Sequence, residues 1–220
     1  MVLLNRPRYR PIGLAALTTA CLAGPLDAQS YDITMSTTAD RWSYPFNATP
    51  GTRPAGSTFG YVPFPDETSF DNRDGQVIVA FDTSKIVPPG QGAGSYDVSV
   101  FALEITLAGP ASGPIDLTVD DWRTYLPEEA ENALPDVDPG RPIELFAAGF
   151  RNGYDRLSWN EGDFFSDTDI FGQGTRNVFA AEIAADGSLF DASSSITDDF
   201  TATPVAVAAF PGFEAGEIPP

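Results

Sequence analysis

Glycine and proline, twenty of each in 220 residues, punctuate this chain along its length and leave only short runs between them. Those runs are rich in Val, Ile, Thr, Phe and Tyr. Such residues suit a pleated, half-buried surface. The pattern predicts an all-β fold: an antiparallel β-sandwich, jelly-roll-like, with one short helix and long loops.

The strongest strand signal is Gln76 to Asp82, where Val77-Ile78-Val79-Ala80-Phe81 is continuously apolar and predicts burial on both faces. A turn-rich stretch from Pro88 to Gly94 leads to a second run. There Tyr96, Val98 and Val100 alternate with polar residues before Phe101, Leu103, Ile105 and Leu107 take the opposite parity. A parity change implies a bulge near Val100–Ala102 or a strand crossing between sheets. Ile115 to Val119 alternates as a third strand. Pro127 to Leu134 reads as the short helix, with proline first and acids in its first turn. Ile143 to Phe150 and Asn177 to Ile183 read as strands, the second with a helical turn at Ala180-Ala181-Glu182 as its alternative. Asp186-Gly187 reads as a hairpin turn.

The N-terminus sets the compartment. Arg6, Arg8 and Arg10 precede an apolar run from Ile12 to Gly24 that is too short for a membrane span, and Ala28 offers a small residue before Gln29. The expected organisation is a signal peptide over 1–28, a β-sandwich domain over 29–200 and a low-complexity, flexible tail over 201–220. The protein is then secreted or surface-exposed on a bacterium, with the periplasm as an alternative. Cys21 is the sole cysteine, and as Thr19-Ala20-Cys21 it also fits a lipoprotein signal. In either case the mature domain has no disulfide and relies on its packed core.

Charge and composition exclude several function classes. The whole chain has 12 basic and 31 acidic residues; without Arg6, Arg8, Arg10 and Asp27 it has 9 and 30, a net charge of −21. Nucleic acid and anionic membranes repel such a surface. No residue is histidine, which removes Ser-His-Asp catalysis, His-ligated zinc and imidazole acid–base chemistry. Catalysis would fall to carboxylate pairs or to Tyr, Arg and Lys85.

Three motifs carry chemistry. Arg41, Trp42, Tyr44, Phe46, Asn47 and Arg53 mix aromatic rings with bonding groups, as sugar sites do; alternatively they plug one end of the sandwich. Asp71-Asn72-Arg73-Asp74-Gly75 reads as a tight turn whose oxygens could also ligate calcium, although Phe70 stands where an EF-hand has its first ligand. Glu161, Asp163, Asp167 and Asp169 gather hard oxygen ligands suited to calcium. Asp163 and Asp167 also allow a glycosidase pair, and the general acidity allows a cluster with no ion at all. Asn47-Ala48-Thr49 matches a glycosylation sequon that an exported bacterial protein would leave unused.

The segment Asp71 to Ser84, followed by Ile86-Val87-Pro88-Pro89-Gly90 and the apolar run to Leu107, resembles secreted bacterial β-sandwich modules of the DNRLRE and carbohydrate-binding type. In those modules an Arg-containing strand ends in Phe-Asp-Leu-Ser; here Thr83 stands where Leu is usual. The resemblance implies a β-sandwich and, as in some members, polysaccharide binding. Asp40-Arg41-Trp42, Tyr44-Pro45-Phe46-Asn47, Glu144-Leu145-Phe146, Gly149-Phe150-Arg151 and Asn177 to Ala181 also resemble uncharacterised exported proteins with a PEP-CTERM-like sorting anchor. The lack of that anchor here implies a chain continuing beyond Pro220. Neither resemblance supplies a catalytic residue.

These readings lead to an exported, non-catalytic module that binds polysaccharide or joins the extracellular matrix, with calcium as its cofactor. A carboxylate-dependent lyase or glycosidase and a purely structural surface protein are the alternatives.

Overall fold

The computed structural model describes residues 32–44, 55–58, 75–86, 97, 99–111, 113–165, 176–193, 195–196 and 198–219. The expected signal peptide, the turn at Asp71 to Asp74, and Phe46, Asn47, Arg53, Asp167 and Asp169 lie outside them. Regular structure among the described residues is almost entirely β: nine strands and one short 3-10 helix, Trp122–Tyr125. The all-β class therefore holds. The strands form four small sheets, which do not close into a sandwich within the described residues.

β1 (Ala39–Ser43) runs antiparallel to β2 (Gln76–Ala80), with Arg41 opposite Ile78 and Trp42 opposite Val77. Thr38 extends the pair, its backbone N–H donating to Ala80 O at 2.8 Å. β1 alternates as a half-buried strand must: Arg41 and Ser43 are buried, while Asp40 and Trp42 point the other way. The expectation that β2 is buried on both faces needs correction. Val77 is exposed and the rest of β2 is only partly covered.

β6 (Ala147–Phe150), β7 (Val178–Ile183) and β8 (Leu189–Asp191) form an antiparallel meander. The predicted hairpin turn is present. Gly187 adopts a φ of 85°, and the Asp186 carboxylate accepts from Ser188 N at 2.8 Å, an Asx turn. Gly149 lies opposite Phe179 with that ring over its backbone, leaving no space for a Cβ. Val178 and Ala181 of β7 join Ile115, Phe165, Ala192 and Ile196 as the buried apolar residues.

Two further pairings position the site. β3 (Ile115–Asp116) lies parallel to β4 (Arg141–Pro142), and β5 (Glu144–Leu145) lies antiparallel to β9 (Ala206–Val207). The stretch read from composition as a flexible tail is tied to β3 and the segment before it. Gly216 N donates to Ile115 O at 2.8 Å, Ile115 N to Glu217 O at 3.0 Å, and Ala111 N to Pro219 O at 3.0 Å.

Two other sequence expectations change. Pro127 to Leu134 makes consecutive turns, with Ala130 N donating to Pro127 O and Ala133 N to Ala130 O. A helix that short needs an apolar face to pack, but Leu134 is exposed and Glu128 and Glu131 repel at i,i+3. The predicted strand from Tyr96 to Leu107 forms no ladder among its described residues, so no bulge can be identified there. Val100, Phe101 and Ile105 are exposed. Alternation is local, whereas a strand requires a partner for its N–H and C=O groups.

Candidate metal centre and aromatic face

The parallel β3–β4 pair delivers the clearest chemical grouping. Asp116 ends β3, Asp120 lies just before the 3-10 helix, and Asp138 precedes β4; each offers a carboxylate oxygen within 4.8 Å of the others. Asp116 and Asp120 are buried and Asp138 is partly covered. Asp116 Oδ1 accepts from Leu117 N at 2.5 Å and Thr118 N at 3.1 Å. Thr118 Oγ1 lies 2.8 Å from Asp116 Oδ2 and 3.0 Å from Asp138 Oδ2, tying together segments 20 residues apart. This trio could hold a metal ion.

Charge around it is only partly balanced. Arg141 Nη1 bonds Asp120 Oδ2 at 2.7 Å and Asp136 Oδ2 at 2.9 Å. The Arg141 guanidinium lies 4.4 Å from the Tyr125 ring centroid and donates to Thr124 O at 2.8 Å. Burial raises the Asp120 carboxyl above its usual range, against the pull of Arg141. Glu144, two strands along, is pushed up to about 7, first by burial and then by the Asp120 charge. Tyr125 is raised for the same two reasons. The neighbouring Asp121 behaves oppositely, held down at about 2 by hydrogen bonds from Arg123.

The residues singled out from the sequence separate into two groups. Trp42 of β1 and Tyr44 just after it stack with ring centroids 5.0 Å apart and planes 22° from parallel. Trp42 Nε1 donates to Ser57 O at 2.8 Å, and Gly56 packs against the indole so closely that a Cβ would stand 2.7 Å from its Cγ. Both aromatics are partly exposed. Arg41 is on the opposite face, buried, and so shares no ligand face with them.

Arg41 instead meets the acidic loop. Its Nη1 donates to Asp163 O at 2.5 Å across 122 residues, and its guanidinium lies 5.9 Å from the Trp159 ring centroid. Burial lowers its pKa below the usual arginine value, opposed by the charges of Asp163 and Glu161. Those carboxylates also have internal partners: Glu161 Oε1 accepts from Asp40 N at 2.5 Å, and Asp163 Oδ2 from Asn160 N at 2.7 Å. Arg41 of the aromatic motif and Asp163 of the acidic motif thus meet in one contact between β1 and the 159–163 loop.

The trio itself was missed in the sequence. Asp116 falls within the expected strand Ile115 to Val119 and Asp120 just after it, but their spacing alone gives no ligand signal, and Asp138 joins only through the β3–β4 pairing. No helix among the described residues is long and apolar enough to cross a membrane. Comparison with protein-family models, curated proteins and solved structures finds no match to this chain.

Proposed function

We propose that this protein is an exported, non-catalytic β-rich module that takes up calcium at Asp116, Asp120 and Asp138 and binds polysaccharide or cell-surface matrix through the Trp42–Tyr44 face. The observation that carries the reading is the trio of carboxylates within 4.8 Å. Two like charges at that distance repel by roughly 3 kcal/mol at an effective dielectric of about 20. Arg141 pairs with Asp120 and Asp136, and among the described residues no salt bridge reaches Asp116 or Asp138. A divalent ion supplies the missing positive charge. The donors are all oxygens, with the Thr118 hydroxyl among them, which favours a hard cation such as calcium over zinc or copper. The glycan part rests on the aromatic pair and on the resemblance to polysaccharide-binding modules.

The test is electrophoresis of the purified protein through gels containing a panel of polysaccharides, with calcium and with chelator. Alongside it, melting temperatures are measured under the same two conditions. Selective retardation together with a calcium-dependent rise in melting temperature supports both parts. Uniform mobility in every gel removes the glycan partner and leaves a structural surface protein. Melting that ignores calcium removes the metal.

A further inference from the structure

The turn that follows β6 is an Asn-Gly pair held in an unusual conformation. Asn152 has φ 57° and Gly153 φ 83°. Tyr154 N donates to Arg151 O at 3.1 Å, so two left-handed residues occupy the centre of a tight turn, the type I′ arrangement. Both are exposed, and nothing lies within 4 Å of where a Gly153 Cβ would be. The Asn152 side chain is anchored, however: its Nδ2 donates to Asn177 Oδ1 at 2.8 Å.

Asn177 is 1% exposed and fully engaged. Its Nδ2 donates to Phe164 O at 2.9 Å, its backbone N to Phe165 O at 2.7 Å, and its carbonyl accepts from Arg151 N at 3.1 Å. Its carboxamide cannot flip without losing the Phe164 bond. Asn152 therefore connects an exposed turn to a buried hub that joins β7 to the 164–165 segment.

We propose that Asn152 is a site of spontaneous deamidation, gated by its hydrogen bond to Asn177. When that bond opens, the Gly153 backbone nitrogen attacks Asn152 Cγ. A Cγ–N bond forms, the Cγ–Nδ2 bond breaks, and ammonia departs with the Gly153 amide proton. Water then opens the five-membered imide at either carbonyl, giving Asp or isoaspartate, so one water is consumed for each ammonia released. Glycine makes the position susceptible, because no side chain shields its nitrogen. While the bond to Asn177 holds, the carboxamide stays directed at the hub. The product is a one-way change: a carboxylate at 152 has no donor for Asn177 Oδ1, which is left facing a like partner.

The experiment follows mass at the peptide containing residues 152–153 during incubation of the full chain at mildly alkaline pH. Native protein, urea-unfolded protein and an Asn177→Ser variant are compared. The expected result is a gain of one mass unit at Asn152, fastest in urea. The variant should run about fivefold faster than native protein, the factor that one ordinary hydrogen bond sets on an opening equilibrium. Equal rates in native protein, variant and urea would overturn the gate, and no conversion in urea would overturn the site. Should Asn177→Ser fail to fold, Asn152→Asp reads the consequence directly. It should melt below Asn152→Gly, which removes the donor without adding charge, and equal melting would refute the proposed effect on the hub.

Discussion

Replacing Glu144 with glutamine removes one ionisation and leaves the side chain nearly the same shape. Burial and the Asp120 charge raise this carboxyl from 4.5 to about 7. The native state therefore binds more protons than the unfolded chain between those pH values. Stability contributed by neutral Glu144 is complete below about 4.5 and is lost as pH rises through 7. Each unit corresponds to about 1.4 kcal/mol, which sets a ceiling of roughly 3 kcal/mol. Partial solvent access reduces this to about 1–2 kcal/mol. At this chain length that is about 3–6 °C in melting temperature. The chain has no histidine, so few other groups titrate between pH 5 and 8. Calorimetry in chelator should find Glu144→Gln more stable than the parent by that amount at pH 8 and nearly equal to it at pH 4. A difference of the same size at both pH values would mean packing, not ionisation, and would refute the reasoning.

Calcium should raise the melting temperature of the parent. Asp116→Asn should abolish that rise, whereas Asp163→Asn should leave it intact; the reverse pattern in calorimetry would move the ion to the 161–169 loop. Gly149→Ala places a Cβ against the Phe179 ring and should cost about 1–3 kcal/mol in urea titration, the usual penalty of overpacking. Arg41→Met removes the charge-assisted bond to Asp163 O and should destabilise by about 2 kcal/mol, read from the same titration. Tyr44→Ala should weaken gel retention by polysaccharide while calcium still raises the melting temperature; unchanged retention would exclude the aromatic face.

What could be read from the sequence was local chemistry. Asp186-Gly187 specifies its hairpin because glycine accepts the positive φ and the aspartate side chain bonds two residues ahead. The apolar runs Ile143 to Phe150 and Asn177 to Ile183 became β5, β6 and β7, as short apolar runs of strand length do. Glycine and proline frequency set the all-β class, and the acidity set the charge that any partner must meet.

What the tertiary structure alone decided was which of these local pieces meet. Pairing of β3 with β4 carries Asp138 to Asp116 and Asp120, and no spacing along the chain encodes that approach. Arg41 stands beside Trp42 and near Tyr44 in the sequence, yet a strand sends successive side chains to opposite faces. Its partner proved to be Asp163, 122 residues away. The Tyr96 to Leu107 run shows the limit from the other side: its pattern is that of a strand, but its described residues form no ladder, which needs a second segment to offer its backbone. Periodicity reports the preference of one segment, whereas burial, ion pairing and the raised carboxyl of Glu144 each depend on two segments at once.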